Sequence, residues 1–227
     1  MAHHGKKYRA AKERVEAGKV YPLAEAIAVA KQSSITKFDA SVELHVHLGI
    51  DPKKADQMVR GTVVLPHGTG KTIRIAAFVT AALEADAKAA GAAIVGGQAL
   101  IDEIKKTQKT DFDVAVATPD MMKNLAAIAK TLGTRGLMPN PKNDTVTPNP
   151  AKTITELSKG KVAFRSDDGG NVHQVVGRVS FPEKELIANA ETFMEAIKKA
   201  KPTEIKGTYV LSATLTTSMG PGVRFQG

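Results

Sequence analysis

Residues 65–72 read LPHGTGKT, and the closing Gly-Lys-Thr is the ending of a loop that wraps nucleotide phosphates. Such a loop needs a glycine five positions before Gly70, because only there can the backbone turn its N–H groups onto the phosphate. Leu65 stands in that place, and Pro66 beside it has no N–H to offer. The strand feeding such a loop should be central and apolar, whereas this one ends in Leu-Pro-His-Gly. For magnesium, only Asp113 or Asp120 could be put forward downstream. The stretch reads instead as a crossing between domains, where Gly68 and Gly70 make dihedral change cheap.

The other groups that could do chemistry do not assemble into a catalyst. His45 and His47 share one face of a strand, a spacing some metal sites use, but no third ligand is suggested nearby and a polar sheet face accounts for them. Asp167 and Asp168 open a DDGGN turn, where Asp and Asn serve turn chemistry. No nucleophile stands beside a base. The sequence therefore predicts a protein that is not an enzyme, with no cofactor and no metal.

A binding surface remains. Ser212, Thr214, Thr216 and Ser218 recur at every second position, a row of hydroxyls that can donate to phosphate or ribose oxygens. Met219-Gly220-Pro221-Gly222 follows, where bare glycines let a partner approach the main chain. On the other flank, Lys37 and Phe38 precede a strand beginning near Ser41. An aromatic beside a cation can stack on an unpaired base; it can equally be buried as core.

Two textures surround these residues. Ser41–Ile50 alternates, with Val42, Leu44, Val46, Leu48 and Ile50 on one side and Ser41, Glu43, His45 and His47 on the other, which predicts a strand with one wet face. Gly61–Pro66, Lys161–Arg165, Val172–Phe181 and Gly207–Ser218 also read as strands, the last with Tyr209, Leu211, Ala213 and Leu215 inward. A helix is predicted over Pro182–Lys201, opened by a capping box of Ser180 with Glu183, with Leu186, Ala190, Phe193, Met194 and Ile197 as its apolar stripe. Between these flanks, apolar runs at 72–79, 92–97 and 113–118 alternate with helical patterns at Ala81–Gly91, Gln98–Lys109 and Asp120–Leu132. That is the texture of βαβ units around a parallel sheet. Asp120 is the predicted cap of the third helix, and Gly91 the left-handed residue ending the first.

The economical fold is a discontinuous α+β domain with an antiparallel sheet, residues 1–67 and 161–227, carrying an inserted doubly wound, Rossmann-like α/β domain, residues 68–160. A single continuous α+β domain is the alternative. The crossings fall near Pro66–Gly70 and Ser158–Lys161, with Gly68, Gly70 and Gly160 as hinge positions. Alanine at Gly68 and Gly70 should be tolerated provided neither adopts a positive φ.

Composition fits a polyanion binder. Lys and Arg total 32 against 23 Asp and Glu, a net charge of +9; each basic group near a phosphate releases condensed counterions. Residues 1–67 and 161–227 hold 20 basic and 14 acidic side chains, against 12 and 9 in residues 68–160. There is no Cys, so no disulfide or thiolate-ligated metal can form, and a reducing compartment suits the chain. MAHHGKKYRA lacks the apolar core of a signal peptide and no long uncharged apolar run follows, so a cytoplasmic protein without membrane contact is expected.

Several strings carry a resemblance: TKFDAS (36–41), LGIDPKKADQMVRGTVVLPHGTGK (48–71), FDVAVATPDMM (112–122), GTRGLMPNPK (133–142), FRSDDGGNVH (164–173) and TTSMGPGVR (216–224). On these the chain resembles the L-one family of bacterial large-subunit ribosomal proteins, the mobile-stalk proteins beside the exit site. The resemblance implies part of the large ribosomal subunit, with large-subunit rRNA, exit-site tRNA and own-operon mRNA as partners, and repression of that messenger's translation. Matched motif by motif, it implies RNA contacts at Lys37, Phe38, Ser41, Arg165, Asp167, His173, Ser212, Ser218, Met219 and Gly220. Ser218 stands where the family usually has Thr, Met58 where Asn is usual and Thr134 where Pro is usual; only Ser218 lies among the implied contacts, and it keeps the hydroxyl while losing β-branching.

Overall fold

A computed structural model of the chain describes residues 5–205 and 207–227. In chain order its elements are helices α1 (Lys6–Lys12) and α2 (Leu23–Gln32), strands β1 (Ser41–Leu48), β2 (Arg60–Val64) and β3 (Ile75–Phe78), and helix α3 (Glu84–Ala89). Strand β4 (Ile94–Gly96), helix α4 (Gln98–Thr107), strand β5 (Val114–Ala117), and helices α5 (Met122–Leu125), α6 (Ala129–Thr134) and α7 (Pro150–Ser158) follow. Strands β6 (Lys161–Arg165) and β7 (Asn171–Arg178), helix α8 (Glu183–Lys199), and strands β8 (Val210–Thr217) and β9 (Val223–Phe225) complete the chain. These elements form two compact units, Met1–Gly70 with Val162–Gly227, and Lys71–Lys161.

The first unit is built on an antiparallel sheet in the order β7-β1-β8-β9. Alternation along β1 sends Val42, Leu44, Val46 and Leu48 to full burial, since successive side chains leave a strand on opposite sides. They join Ile27 of α2 and the α8 stripe of Leu186, Ala190, Phe193, Met194 and Ile197 in one core, each large side chain contributing about 1.5–3 kcal/mol by leaving water. Strands β2 and β6 pair separately as a two-stranded sheet.

Two details of this unit overturn sequence expectations. Leu211 does not face inward; it is 52% exposed. The pairing of β1 with β8 slips between His47 and Leu48, which face Ser212 and Val210, so Leu211 is the extra residue of a bulge and turns outward. Nor does Ser180 cap α8. Pro182 holds the cap position without a side-chain bond, because the Ser180 amide and hydroxyl both donate to the Asp39 carboxylate, at 3.0 and 2.9 Å.

The second unit has a three-stranded parallel sheet in the order β4-β3-β5. All four residues of β3 are buried, because helices cover both faces. Ala76 and Phe78 pack with residues of α4, α5 and α6, while Ile75, Ala77 and Val79 pack with Ala87 of α3 and Ile154 and Leu157 of α7. Gly91, at φ +100, ends α3 as a left-handed residue. Asp120, in contrast, caps nothing: it lies within a single 3-10 turn, Pro119–Met121, entered from Thr118. The helix expected at Asp120–Leu132 is broken into short turns, with Ile128 leaving helical geometry at φ −116 and ψ 9. Its apolar stripe of Met121, Leu125, Ile128 and Leu132 is nevertheless buried.

The crossing segment differs from a slack tether. Gly68, Gly70 and Gly160 have φ of +63, +73 and +106, a region that costs residues with a Cβ. A Cβ on Gly70 would also meet the Phe181 ring at 2.9 Å. Alanine at Gly68 or Gly70 is therefore strained, because the condition on which tolerance was expected, no positive φ, fails at both. The Asn189 side chain, fully buried on α8, accepts from the His67 amide at 3.1 Å and donates to the carbonyls of Gly68 and Val176 at 2.9 and 2.8 Å. Arg178 Nε donates to the Gly70 carbonyl at 3.1 Å. Within the second unit, Lys71 forms an ion pair with Asp113 at 2.9 Å, which occupies the lysine of the GTGKT stretch with a carboxylate.

Candidate nucleic-acid interface

The face of the antiparallel sheet opposite the core is polar, and at its β9 edge α1 approaches it, Tyr8, Arg9 and Lys12 lining a cavity with Thr214 and Arg224. β1 presents Glu43, His45 and His47 on it. Register places Thr216, Thr214 and Ser212 of β8 beside these three, and His173 and Asn171 of β7 on the other side of the two histidines. Arg224 of β9 lies opposite Thr214. The hydroxyl row read from the sequence is thus a surface row, with Thr217 between its members turned to the interior.

At one end of this face the backbone amides and hydroxyls of two strands lock together. Ser41 N donates to Ser218 Oγ at 3.2 Å, and Ser218 N donates to the Ser41 carbonyl at 3.0 Å. Phe38 stands beside them and is 64% exposed, which decides against the core reading of its ring. Its backbone is nonetheless held, since Thr36 Oγ1 donates to the Phe38 carbonyl at 3.1 Å and the next residue, Asp39, is clamped by Ser180. An exposed aromatic on a fixed stem loses little freedom when a planar ligand stacks on it.

Met219 forms the matching apolar group at the end of β8, 74% exposed. Its φ of +64 is left-handed, an uncommon conformation for a residue with a Cβ. The turn is tied by the Gly220 amide donating to the Thr217 carbonyl at 2.8 Å. Position 220 admits only glycine, because a Cβ there would run into Thr217 Oγ1. Backbone strain of this kind collects where a side chain must be presented to a ligand.

Asp167 and His173 form a second group. The Asp167 carboxylate accepts from the amides of Asn171 and Gly169 at 2.7 and 2.9 Å, from the Asn171 side chain, and from His173 Nε2 at 3.3 Å. These bonds, the Asn171 amide first, hold its pKa down at about 2. Arg165, exposed at the end of β6, enters the same turn. Lys37 is exposed next to Phe38, and Ser212 lies opposite His47 toward the far end of β1.

The ten predicted residues therefore do not converge on one pocket. His47 lies six steps along β1 from Ser41, a span of about 20 Å, so the surface suits an extended ligand that is met at several points. Sequence patterning missed Asn171, whose amide and side chain fix Asp167, and Asn189, which holds the crossing segment. For Asn171 the DDGGN turn was an available signal; a buried polar residue inside a helix stripe leaves none. No group of three or more His, Cys, Asp or Glu among the described residues could hold a metal ion. Among the same residues, no helix is long and apolar enough to cross a membrane.

The chain is similar over most of its length to known proteins. A sequence model described as the Ribosomal protein L1p/L10e family matches residues 29–221. A large ribosomal subunit protein uL1 of Mycoplasma capricolum is 48% identical over 226 residues, spanning 100% of both chains. The uL1 protein of Chloroflexus aggregans is 51% identical over 98% of this chain and 95% of its own, and that of Streptomyces griseus is 50% identical over 96% and 90%. By family match and by full-length similarity, this chain belongs to the ribosomal protein L1p/L10e family.

Proposed function

We propose that the chain is a structural constituent of the large ribosomal subunit, bound to large-subunit rRNA through the open face of its antiparallel sheet. The observation that carries this reading is that Phe38 and Met219, both exposed, flank the bonded Ser41 and Ser218 at one end of a hydroxyl- and histidine-lined surface. Aromatic rings stack on unpaired bases, and hydroxyls and cations meet sugar and phosphate. The reading extends to the finer roles of the family: a place at the mobile stalk, help in releasing deacylated tRNA from the exit site, and repression of the chain's own messenger through a motif resembling the rRNA site. The glycine-bearing crossings, Gly68, Gly70 and Gly160, serve as the hinge in this reading, with the pivot after the tethered Gly70 carbonyl.

Sedimentation of a cell lysate with detection of this chain tests the proposal. It should travel with the large subunit, and a washed subunit lacking it should take it back. A chain found mostly free of ribosomes overturns the structural role. A purified chain that shows no preference for large-subunit rRNA over a duplex of equal length overturns the RNA-binding role.

A further inference from the structure

At the middle of the polar face two histidines meet ring to ring. His45 of β1 and His173 of β7 are directly paired in register; their Nδ1 atoms are 2.7 Å apart and the rings meet edge to face at 64°. On the outer sides, His45 Nε2 lies 3.2 Å from Thr216 Oγ1, and His173 Nε2 lies 3.3 Å from Asp167 Oδ2. One tautomer set satisfies all three contacts. Ionised Asp167 can only accept, so His173 carries its proton on Nε2 and leaves Nδ1 bare. His45 then donates from Nδ1 to His173, and its bare Nε2 must accept from the Thr216 hydroxyl. In the neutral pair, Thr216 is thus spent as a donor to His45.

One further proton reverses this. Placed on His45 Nε2, it makes that atom a donor to Thr216 Oγ1, and the Thr216 hydrogen swings free to point at a ligand. A second proton has no place: with both Nδ1 atoms protonated, two N–H bonds would confront each other across 2.7 Å. The charged and titratable groups around the pair come from four elements and the turn before β7. Glu43 on β1 lies 3.7 Å from His45 Nε2 and favours the charged form; His47 is two residues along β1; Asp167 holds His173; Arg224 on β9 lies across Thr214, and Tyr8, Arg9, Lys12 and Glu13 at α1 line a cavity with these two; β8 contributes only hydroxyls. Burial, then the neighbouring His173 ring, hold His45 below the ordinary histidine range, with Glu43 opposing, so the free protein favours the neutral form of His45.

We propose that the His45–His173 pair is a proton-loaded switch in the RNA site: one proton taken up on binding turns Thr216 from a donor to His45 into a donor to an RNA phosphate. The inference rests on the RNA-binding reading above and adds a proton to it. A phosphate arriving beside Thr216 supplies the negative charge that stabilises the imidazolium, and the imidazolium releases the hydroxyl that the phosphate needs. By linkage, a group protonated more readily in the complex than in the free protein makes affinity rise as pH falls, by at most about tenfold per pH unit for one proton.

The test uses the full chain and transcribed large-subunit rRNA at fixed salt. Wild type should bind about fivefold or more tightly at pH near 6 than near 8, and calorimetry in two buffers of different ionisation enthalpy should count uptake of up to one proton. His45→Gln and Thr216→Val should each flatten the pH profile, while Thr216→Ser, which keeps the hydroxyl, should preserve it. Both positions are half-buried on the polar face, and matched melting curves verify folding. A flat wild-type profile with intact binding overturns the switch and leaves the RNA reading standing. An unchanged profile in both His45→Gln and Thr216→Val assigns the proton elsewhere and also overturns it. Absence of binding at either pH removes the RNA reading, and the switch with it.

Discussion

The two sheets of this molecule use the same alternation to opposite ends. In the parallel sheet both sides of the central strand are covered, so Ile75, Ala76, Ala77 and Phe78 are all buried and that strand has no surface to offer. In the antiparallel sheet the core takes one side only, and Glu43, His45 and His47 alternate with fully buried neighbours. A covered sheet is a scaffold whose function must sit in loops; a half-covered sheet can itself be the contact surface.

That contrast can be broken most forcefully from within the covered sheet. Phe78→Ala removes a fully buried ring that meets Phe112 edge to face, and should destabilise the second unit by about 3–5 kcal/mol. Calorimetric melting should show that loss while rRNA affinity holds; a parallel fall in affinity would mean the interface is not confined to the antiparallel sheet. Asn189→Ala is expected to cost about 2–3 kcal/mol in the first unit, because the amide of His67 and the Gly68 carbonyl lose a buried partner. Chemical denaturation measures it, and a change near zero would show that water replaces the side chain.

Phe38→Ala sharpens the comparison from the open side. Loss of a stacking ring should weaken RNA binding by about 1–3 kcal/mol with melting unchanged, since the ring is 64% exposed. Collapse of stability with affinity per folded molecule intact would make it a core residue. Acid should act more locally. Asp167 has its pKa lowered to about 2, so its hold on the turn is complete above the unfolded value of about 3.9 and lost as pH falls through about 2. Amide exchange at Gly169 and Asn171 should quicken across that window, and Asp167→Asn should remove the acid dependence. Smallest of all, Lys71→Ala breaks an exposed pair with Asp113 worth less than about 1 kcal/mol. Any ATP or GTP affinity that vanished with it would revive the phosphate-loop reading of GTGKT.

How far the sequence could carry this contrast depended on periodicity. Strict alternation in Ser41–Leu48 marked both the strand and its wet face, and the α8 stripe was visible because packing repeats with the helix. Leu211 shows the limit: a bulge adds one residue and inverts the face, and its cause lies in the partner strand, at His47 and Leu48. Ser180 and Asp120 show another, since local capping signals yield to distant partners or to turns of different pitch. For Ser180 the competitor is Asp39, 141 residues away. The histidine pair was equally hidden, because His45 and His173 meet only once β7 is set beside β1. The short helices α1 and α2, α7 and strand β9 also escaped, being brief or dependent on packing for their identity.

The tether at Gly68 and Gly70 has a mechanical consequence. A pull on the chain at Lys71 does not first unzip β2 from β6, because the Gly70 carbonyl is bonded to Arg178 and the Gly68 carbonyl to Asn189. Load entering there is shared with the end of β7 at Arg178 and the middle of α8, whose neighbours Phe193 and Ala190 are fully buried. Arg178 also pairs with Ser41 and donates to the Asp39 carbonyl at 3.1 Å, so tension on the chain beyond Gly70 is felt at the stem of Phe38 as well as in the packed middle of α8.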